Sequence, residues 1–489
     1  MGSVSVSRKY SRVVDFTVNN ELLRNTNKMS KGNALAYIVL ISWPLFSIWL
    51  YRKKSLQFAT LITIIGGFMV LAVGTSVDLP LIPPLGKSSM PVLSAVLGCW
   101  MIKKQKIKIF DNKGLVQLFV LILFVGAFVT AELNSDRIII GDKILPGLTL
   151  HDAISAVIGV FIQITPFFIG KQFFKTYQDQ LLMFRFIVAA GLIYSIPMLY
   201  EIRMSPQLHS MFYGYFPHSF AQQVRGGGFR SVMFMGHGLL VAFFVVCVLT
   251  AATVLEKIGE NIRNFPPKMV SYYFLIVLVL CKSKAALLYG IFAFVMIKKI
   301  SYKIQFRAAV ILAIITLLYP SMSIMKIFPH DAIVQTATEY LGEDRSESLE
   351  FRFDNEKILL AHAQKRFLFG WGGWGRNRAR DEETGENISV TDGRWIITLG
   401  SFGLVGFIAE FGLMALAIFS AYSASKKIRH SKELTLLSGH ALLVGVVMVN
   451  QLPNSGLEAW LWLVIGGLLG RSEDVLMLNR IRDNKGNIG

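Results

Sequence analysis

Three short elements carry residue types suited to holding an anion. The first is Arg225–Arg230, RGGGFR. Its three glycines let backbone N–H groups approach a ligand closely, and Arg225 and Arg230 can grip phosphate oxygens through paired N–H donors. The second is Lys282-Ser283-Lys284, a basic turn between two apolar segments too short for two ordinary crossings plus a loop. Two lysines there need water or an anion to face, unless they snorkel to the interface. The third is Arg352, in the polar stretch SLEFRFDNEKILLAHAQKRFLFGWGGWG. The plain alternative for Arg352 is a surface ion pair with Glu356 one turn on. Downstream, Asp392 is a lone carboxylate before a glycine, suited to general-base work or to orienting a hydroxyl, and equally to capping a turn. Arg394 follows it at the entrance to an apolar helix and is a further anion ligand.

The elements that must position these residues are membrane helices. Of 489 residues, 53% are hydrophobic, and mean hydropathy is +0.51. Apolar windows fall near 35–51, 57–75, 89–102, 114–131, 151–170, 181–200, 233–255, 269–281, 285–297, 306–320, 401–423, 433–450 and 458–470. The expected fold is an all-α polytopic membrane protein of 12–13 spans, because continuous rather than alternating apolar runs satisfy their backbone as helices. The formal charge of +19 sits largely in short loops such as Arg52–Lys54, Lys103–Lys108, Lys298-Lys299 and Lys426–Arg429. By the positive-inside rule these are cytoplasmic, and no nucleic-acid partner is expected.

This orientation divides the chain into a basic N-terminal tail (1–34), ten spans (35–320), a large external loop (321–400), C-terminal spans (401–470) and a cytoplasmic tail (471–489). Thirteen spans would put the basic N-terminus outside, unless the Pro44-containing segment fails to cross. The loop 321–400 holds 13 acidic and 10 basic residues, net negative in a basic chain. A helix is expected over Ser348–Phe367, ended by Gly370–Gly375. Glu410 lies deep in a span and needs a partner inside the bundle. Cys99, Cys247 and Cys281 suggest neither a disulfide framework nor a metal site, and the histidines have no ligand-like spacing. No signal peptide, Walker, HExxH or GxSxG motif is read.

The order of these elements, RGGGF, a Ser283-Lys284-Ala285 turn between short segments, a long loop with Arg352, a GWGGWG turn and then GSFGLVGFIAEFGL, resembles the O-antigen ligase and polymerase superfamily over roughly residues 150–470. The resemblance implies a glycosyltransferase of the GT-C kind in the bacterial inner membrane. Its substrate would be an undecaprenyl-diphosphate-linked oligosaccharide presented on the periplasmic face. Transfer would be inverting, free of metal and cofactor, with basic residues on the diphosphate. Membrane lipids, a flippase and a chain-length regulator are the partners such a protein would meet. Lys284 stands where ligases carry an arginine after serine, and Arg352 matches their loop arginine. Their loop histidine falls on Asp392 or on Ser401, according to the anchor. The expected assignment is therefore Arg352, Lys284 and Asp392 at the reaction centre, with Arg225, Arg230, Lys282 and Arg394 on the diphosphate. These departures suit a polymerase for exopolysaccharide or O-antigen better than a ligase acting on lipid A core or protein. A lipid-linked sugar flippase is the non-enzymatic alternative.

Overall fold

The computed structural model describes residues 32–79, 82–110, 114–261, 265–341 and 343–486, so the basic tail over residues 1–31 lies outside it. In chain order the helices are α1 (Ala34–Lys53), α2 (Leu56–Val70), α3 (Met90–Ile102), α4 (Leu115–Glu132), α5 (Leu150–Phe173), α6 (Tyr177–Met204), α7 (Leu208–Tyr213), α8 (Gly238–Ile258), α9 (Pro267–Leu280), α10 (Lys284–Lys299), α11 (Tyr302–Ile324), α12 (His330–Leu341), α13 (Glu343–Gln364), α14 (Arg394–Ser425), α15 (Ser431–Asn450) and α16 (Ala459–Gly486). Among the described residues, three pairs of short antiparallel strands, β1–β2 (Ser76–Leu79, Ile82–Gly86), β3–β4 (Ile138–Ile140, Lys143–Leu145) and β5–β6 (Val224–Arg225, Gly228–Phe229), lie between the helices.

Among the described residues eight helices, α1, α4, α5, α6, α8, α11, α14 and α15, are long and apolar enough to cross a membrane. The chain is a multi-pass membrane protein. The remaining five expected spans are α2, α3, α9 and α10, of at most 16 residues, and α16, which runs on through Arg471 to Gly486. The tail from 471 continues this helix as far as 486.

Local sequence sets the helix ends. Thr149 and Asp152 form a reciprocal capping box at the start of α5, and Thr176 and Asp179 repeat it on α6. Basic side chains occupy the last turns of α1 (Arg52, Lys53) and α10 (Lys298, Lys299), where the helix dipole favours cations. Helix α8 is buried along nearly its whole length and packs against α6, α9, α10 and α15. Helices α5 and α16 cross with backbones in contact: a Cβ on Gly170, Gly466 or Gly470 would collide with main-chain atoms of the facing helix.

The decisive irregularity is in α14. At Gly403 the backbone turns to φ 69°, ψ −170°, and the helical ladder breaks. The segment after α13 fills the gap. Trp371 and Gly372 donate their N–H groups to the carbonyls of Gly400 (2.8 Å) and Ser401 (2.9 Å). Leu404 and Val405 donate theirs to Phe367 (2.8 Å) and Leu368 (3.2 Å). Backbone groups freed by the break are thus paired again, as a membrane interior requires. Thr130 and Asn134, at the end of α4, hold the same segment through the carbonyls of Phe369 (2.6 Å) and Gly370 (3.0 Å). Helix α13 ends at Gln364, ahead of the glycine turn that was expected to stop it, because this clamp takes over there.

A side chain at Gly403 would need a left-handed backbone and would meet the Leu368 carbonyl. Gly403→Ala is expected to cost about 1–3 kcal/mol. Gly126→Ala in α4, where nothing lies within 4 Å of the added carbon, should be neutral or stabilising. Thermal unfolding of both variants in detergent reads the contrast.

Candidate functional site

The α12–α13 segment caps the end of the bundle where α14 begins and α15 ends. Between them lies a cavity of about 220 Å³. Arg352, Phe353, Asn355 and Glu356 of α13 line one side. Tyr319 of α11, Tyr289 of α10 and the chain around Asp392, Trp395 and Pro453 line the other. The volume is below the roughly 300–1,000 Å³ of a complete small-molecule pocket.

Arg352 and Asp392, 40 residues apart in sequence, meet here: Arg352 Nε stands 3.7 Å from Asp392 Oδ2, an ion pair too long for a hydrogen bond. Nη1 of Arg352 donates to the Pro453 carbonyl at 3.1 Å. These two contacts leave most of the guanidinium fork facing the cavity, with the side chain 34% exposed. Burial pushes the Asp392 carboxyl above its ordinary range, and Arg352 opposes the shift.

Glu356 does not pair with Arg352 as the i,i+4 spacing suggested. It turns toward α11, where Tyr319 donates to both its oxygens (2.9 and 3.0 Å) and Ser323 to Oε1 (2.9 Å). His330 Nε2 lies 3.7 Å from the same oxygen. Burial pushes the Glu356 carboxyl up to about 7, against the hydrogen bonds from Tyr319 and Ser323 and the charge of Lys357. The cavity therefore holds two carboxyl groups of different character: one beside a guanidinium, the other hydrogen-bonded by hydroxyls with an imidazole nearby.

The RGGGFR element is a hairpin, Val224 pairing Phe229 and Arg225 pairing Gly228, with Gly226 and Gly227 at φ 51° and 67° in a two-residue turn. Lys282 fixes it: Nζ donates to the carbonyls of Arg225 (3.1 Å) and Gly226 (3.2 Å). The turn thus offers carbonyls to a cation where amides for an anion were expected. Arg230 is buried and donates through Nε and Nη2 to the Lys282 carbonyl (3.2 and 2.9 Å), which locks the hairpin to the α9–α10 turn. Arg225 and Lys284 are exposed. His237, the N-cap of α8, accepts from Leu239 N–H at 3.0 Å and packs its ring 4.6 Å from that of His218. Burial pushes His237 down to about 4, and the charges of His218, Arg230 and Arg352 push the same way. Helix α10, which begins at the α9–α10 turn, also carries Tyr289 of the cavity wall.

Arg394 faces away from this cluster, into the bundle. It pairs with Glu410 (Nη2 to Oε1, 2.7 Å) and donates to Gln163 (3.2 Å), while Thr398 and Gln163 both donate to Glu410 at 2.6 Å. Arg394 is thus the partner that Glu410 needed, and its expected place on the diphosphate is taken by this ion pair.

Three structural charges were not singled out from sequence. Glu201 is fully buried at the end of α6 and accepts from the N–H groups of Leu208, Val232 and Met233 and from the Ser231 hydroxyl, all at 2.8–3.0 Å. Lys87 donates to the carbonyls of Phe68 (2.5 Å), Leu71 (2.8 Å) and Phe234 (2.7 Å), tying the end of α2 to the chain just before α8; burial pushes its ammonium down, with Glu458 opposing. Arg376, buried within the loop domain, donates to the carbonyls of Asp136 (2.8 Å) and Pro146 (3.0 Å). No sequence spacing marks these residues, since their partners are mainly backbone groups, most of them at least 16 residues away along the chain.

No family model matches the chain, and no curated protein matches it.

Breaking the interior pair has a stated cost. Arg394→Gln or Glu410→Gln alone leaves a buried charge uncompensated and should destabilise by about 3–5 kcal/mol. The double variant should recover part of that loss, a coupling of about 0.5–3 kcal/mol, measured by thermal unfolding of all four proteins.

Proposed function

We propose that the protein is a membrane glycosyltransferase that joins undecaprenyl-diphosphate-linked oligosaccharide units at the periplasmic face of a bacterial inner membrane, as a polymerase in exopolysaccharide or O-antigen assembly. The observation that carries this reading is the meeting of Arg352, Asp392 and Glu356 in one small cavity where a polar domain caps an apolar bundle. A guanidinium fork matches a diphosphate leaving group, and a nearby carboxylate matches the acceptor hydroxyl that must lose a proton.

On this reading the acceptor hydroxyl oxygen attacks the anomeric carbon of the donor sugar. The bond from that carbon to the diphosphate oxygen breaks, and the electron pair leaves with the lipid diphosphate. Charge grows on the departing oxygen, so Arg352 stabilises the transition state more than the ground state. Lys284, exposed at the start of α10, and Arg225, exposed in the hairpin, would add positive charge for the diphosphate. Arg230 and Lys282 act through the backbone they hold rather than on the diphosphate directly.

The test compares lipid-linked sugars in a deletion strain, separated by size and by membrane face. Single repeat units accumulating on the outer face support polymerisation. Long polymer stranded on the carrier indicates a ligase, and single units held on the inner face indicate a flippase. Complementation with Arg352→Ala should lower polymer output by about 10²–10³-fold with the protein still present in the membrane. Arg352→Lys, which keeps charge and loses the fork, should fall between it and the wild type. Unchanged output in Arg352→Ala would remove the basis of this reading.

A further inference from the structure

The cavity holds two carboxyl groups, and the geometry separates their roles. Asp392 has the Arg352 guanidinium at 3.7 Å as an ion-pair partner, and that cation opposes the upward push that burial gives its carboxyl. Glu356 stands one helical turn along α13 from Arg352 and lines the same cavity. Among the described residues it forms no ion pair with lysine or arginine, and only hydroxyls and the His330 ring contact it. Two donors from α11, Tyr319 and Ser323, hold its carboxyl in place, as a group that must meet a substrate hydroxyl in one orientation requires. Its side chain is 13% exposed. Beside it, His330 Nε2 is buried without a hydrogen-bond partner among the described residues.

We propose that Glu356 is the general base that receives the acceptor hydroxyl proton, and that Asp392 is a positioning residue that sets the Arg352 guanidinium. This rests on the glycosyl-transfer reading. As the acceptor oxygen bonds to the anomeric carbon, its proton passes to the Glu356 carboxylate, and the diphosphate departs toward Arg352. The proton is later released to water, so the carboxylate is regenerated and no co-reactant is needed.

The charged and titratable groups around the Glu356 cavity are Arg352 and Lys357 on its own helix, Tyr289 on α10, Tyr319 on α11, His330 on α12 and Asp392 just before α14. Burial, the dominant influence, raises the Glu356 carboxyl to about 7, so the base form fills as pH rises through neutrality. A base ionising at its ordinary value would already be filled at pH 6.

The experiment uses the full-length protein in lipid nanodiscs and, as substrate, lipid-linked repeat units extracted from the deletion strain. Elongation rate is followed from pH 5 to 9. The wild type should rise through about pH 7 and level off. Glu356→Gln should fall by about 10²–10⁴-fold and lose the rise. Asp392→Asn should be slower at every pH and keep the rise. Tyr319→Phe removes one hydroxyl from the carboxylate, so its rise should move to higher pH, an effect a purely structural Glu356 would not produce. A rise that survives in Glu356→Gln, or one that disappears in Asp392→Asn, overturns the assignment. So does a Tyr319→Phe profile that coincides with the wild type, which also decides the matter if Glu356→Gln fails to fold. A wild type that never extends the lipid-linked units refutes the glycosyl-transfer reading itself, whatever the variants do.

Discussion

The break in α14 at Gly403 is the constraint from which the site follows. A helix interrupted inside an apolar bundle leaves donors and acceptors that lipid cannot satisfy. Here they are satisfied by residues 367–372, the stretch that closes the polar domain. One set of hydrogen bonds therefore repairs the helix and docks the domain. It also fixes the distance between α13, which carries Arg352 and Glu356, and the start of α14, just after Asp392. The two glycine motifs, GWGGWG and GSFG, are halves of one joint. Gly370 faces the backbone of residues 401–403, and Gly403 faces that of 368 and 369, each at positive φ and with no room for a Cβ. Thr130 and Asn134 add α4 to the joint, so three parts of the chain meet at one irregular point.

The same rule sorts the charges. Lys87, Glu201, Arg230 and Lys282 all lie where the chain leaves helical geometry, and each satisfies backbone carbonyls or amides there. Arg394 and Glu410 satisfy one another. Charges of this kind are costly to bury, and the backbone or partner they meet is what offsets the cost. Arg352 and Glu356 differ. The guanidinium gives one hydrogen bond to a carbonyl, and the carboxyl has only hydroxyl donors, although both face a cavity. A charge whose partners leave capacity unused is a better marker of function than charge alone.

Much of this was legible in the sequence, and the reasons for the rest are physical. The helical membrane class followed from long apolar runs, and the short pair α9–α10 followed from a spacing too small for two crossings. The need of Glu410 for a partner was legible because a carboxylate among apolar residues has no other stable arrangement. That its partner is Arg394 was not, since the side chain of a residue at a helix entrance can point either way. Arg352 and Glu356 at i and i+4 invited an ion pair. Tyr319 and Ser323, hidden at the end of an apolar span, outbid Arg352 for the carboxyl because their hydroxyls are already at that depth. The RGGGFR turn was read from its flexible glycines, while the lysine that grips its carbonyls lies more than 50 residues further on.

The cavity is small for an enzyme that would handle polymers, and that limit is informative on the glycosyl-transfer reading. Bond energy arrives with the lipid diphosphate, so the protein has no nucleotide to bind. It must neutralise a leaving group, accept one proton and exclude water from the junction between two sugars. A cavity of about 220 Å³ with one guanidinium and two carboxyls can do this. The rest of each saccharide has to lie outside it, over the α12–α13 domain, where a second hollow of about 280 Å³ borders the first through Phe353 and is lined by Gln335, Thr338, Asp354 and Lys357. The lipid tail would have the opposite requirement, which apolar side chains exposed on α9 and α10, such as Ile276, Val279 and Leu288, would meet on that reading. The junction between sugar and lipid then falls where the polar domain meets the bundle, which is the level at which the Gly403 joint holds Arg352 and Glu356.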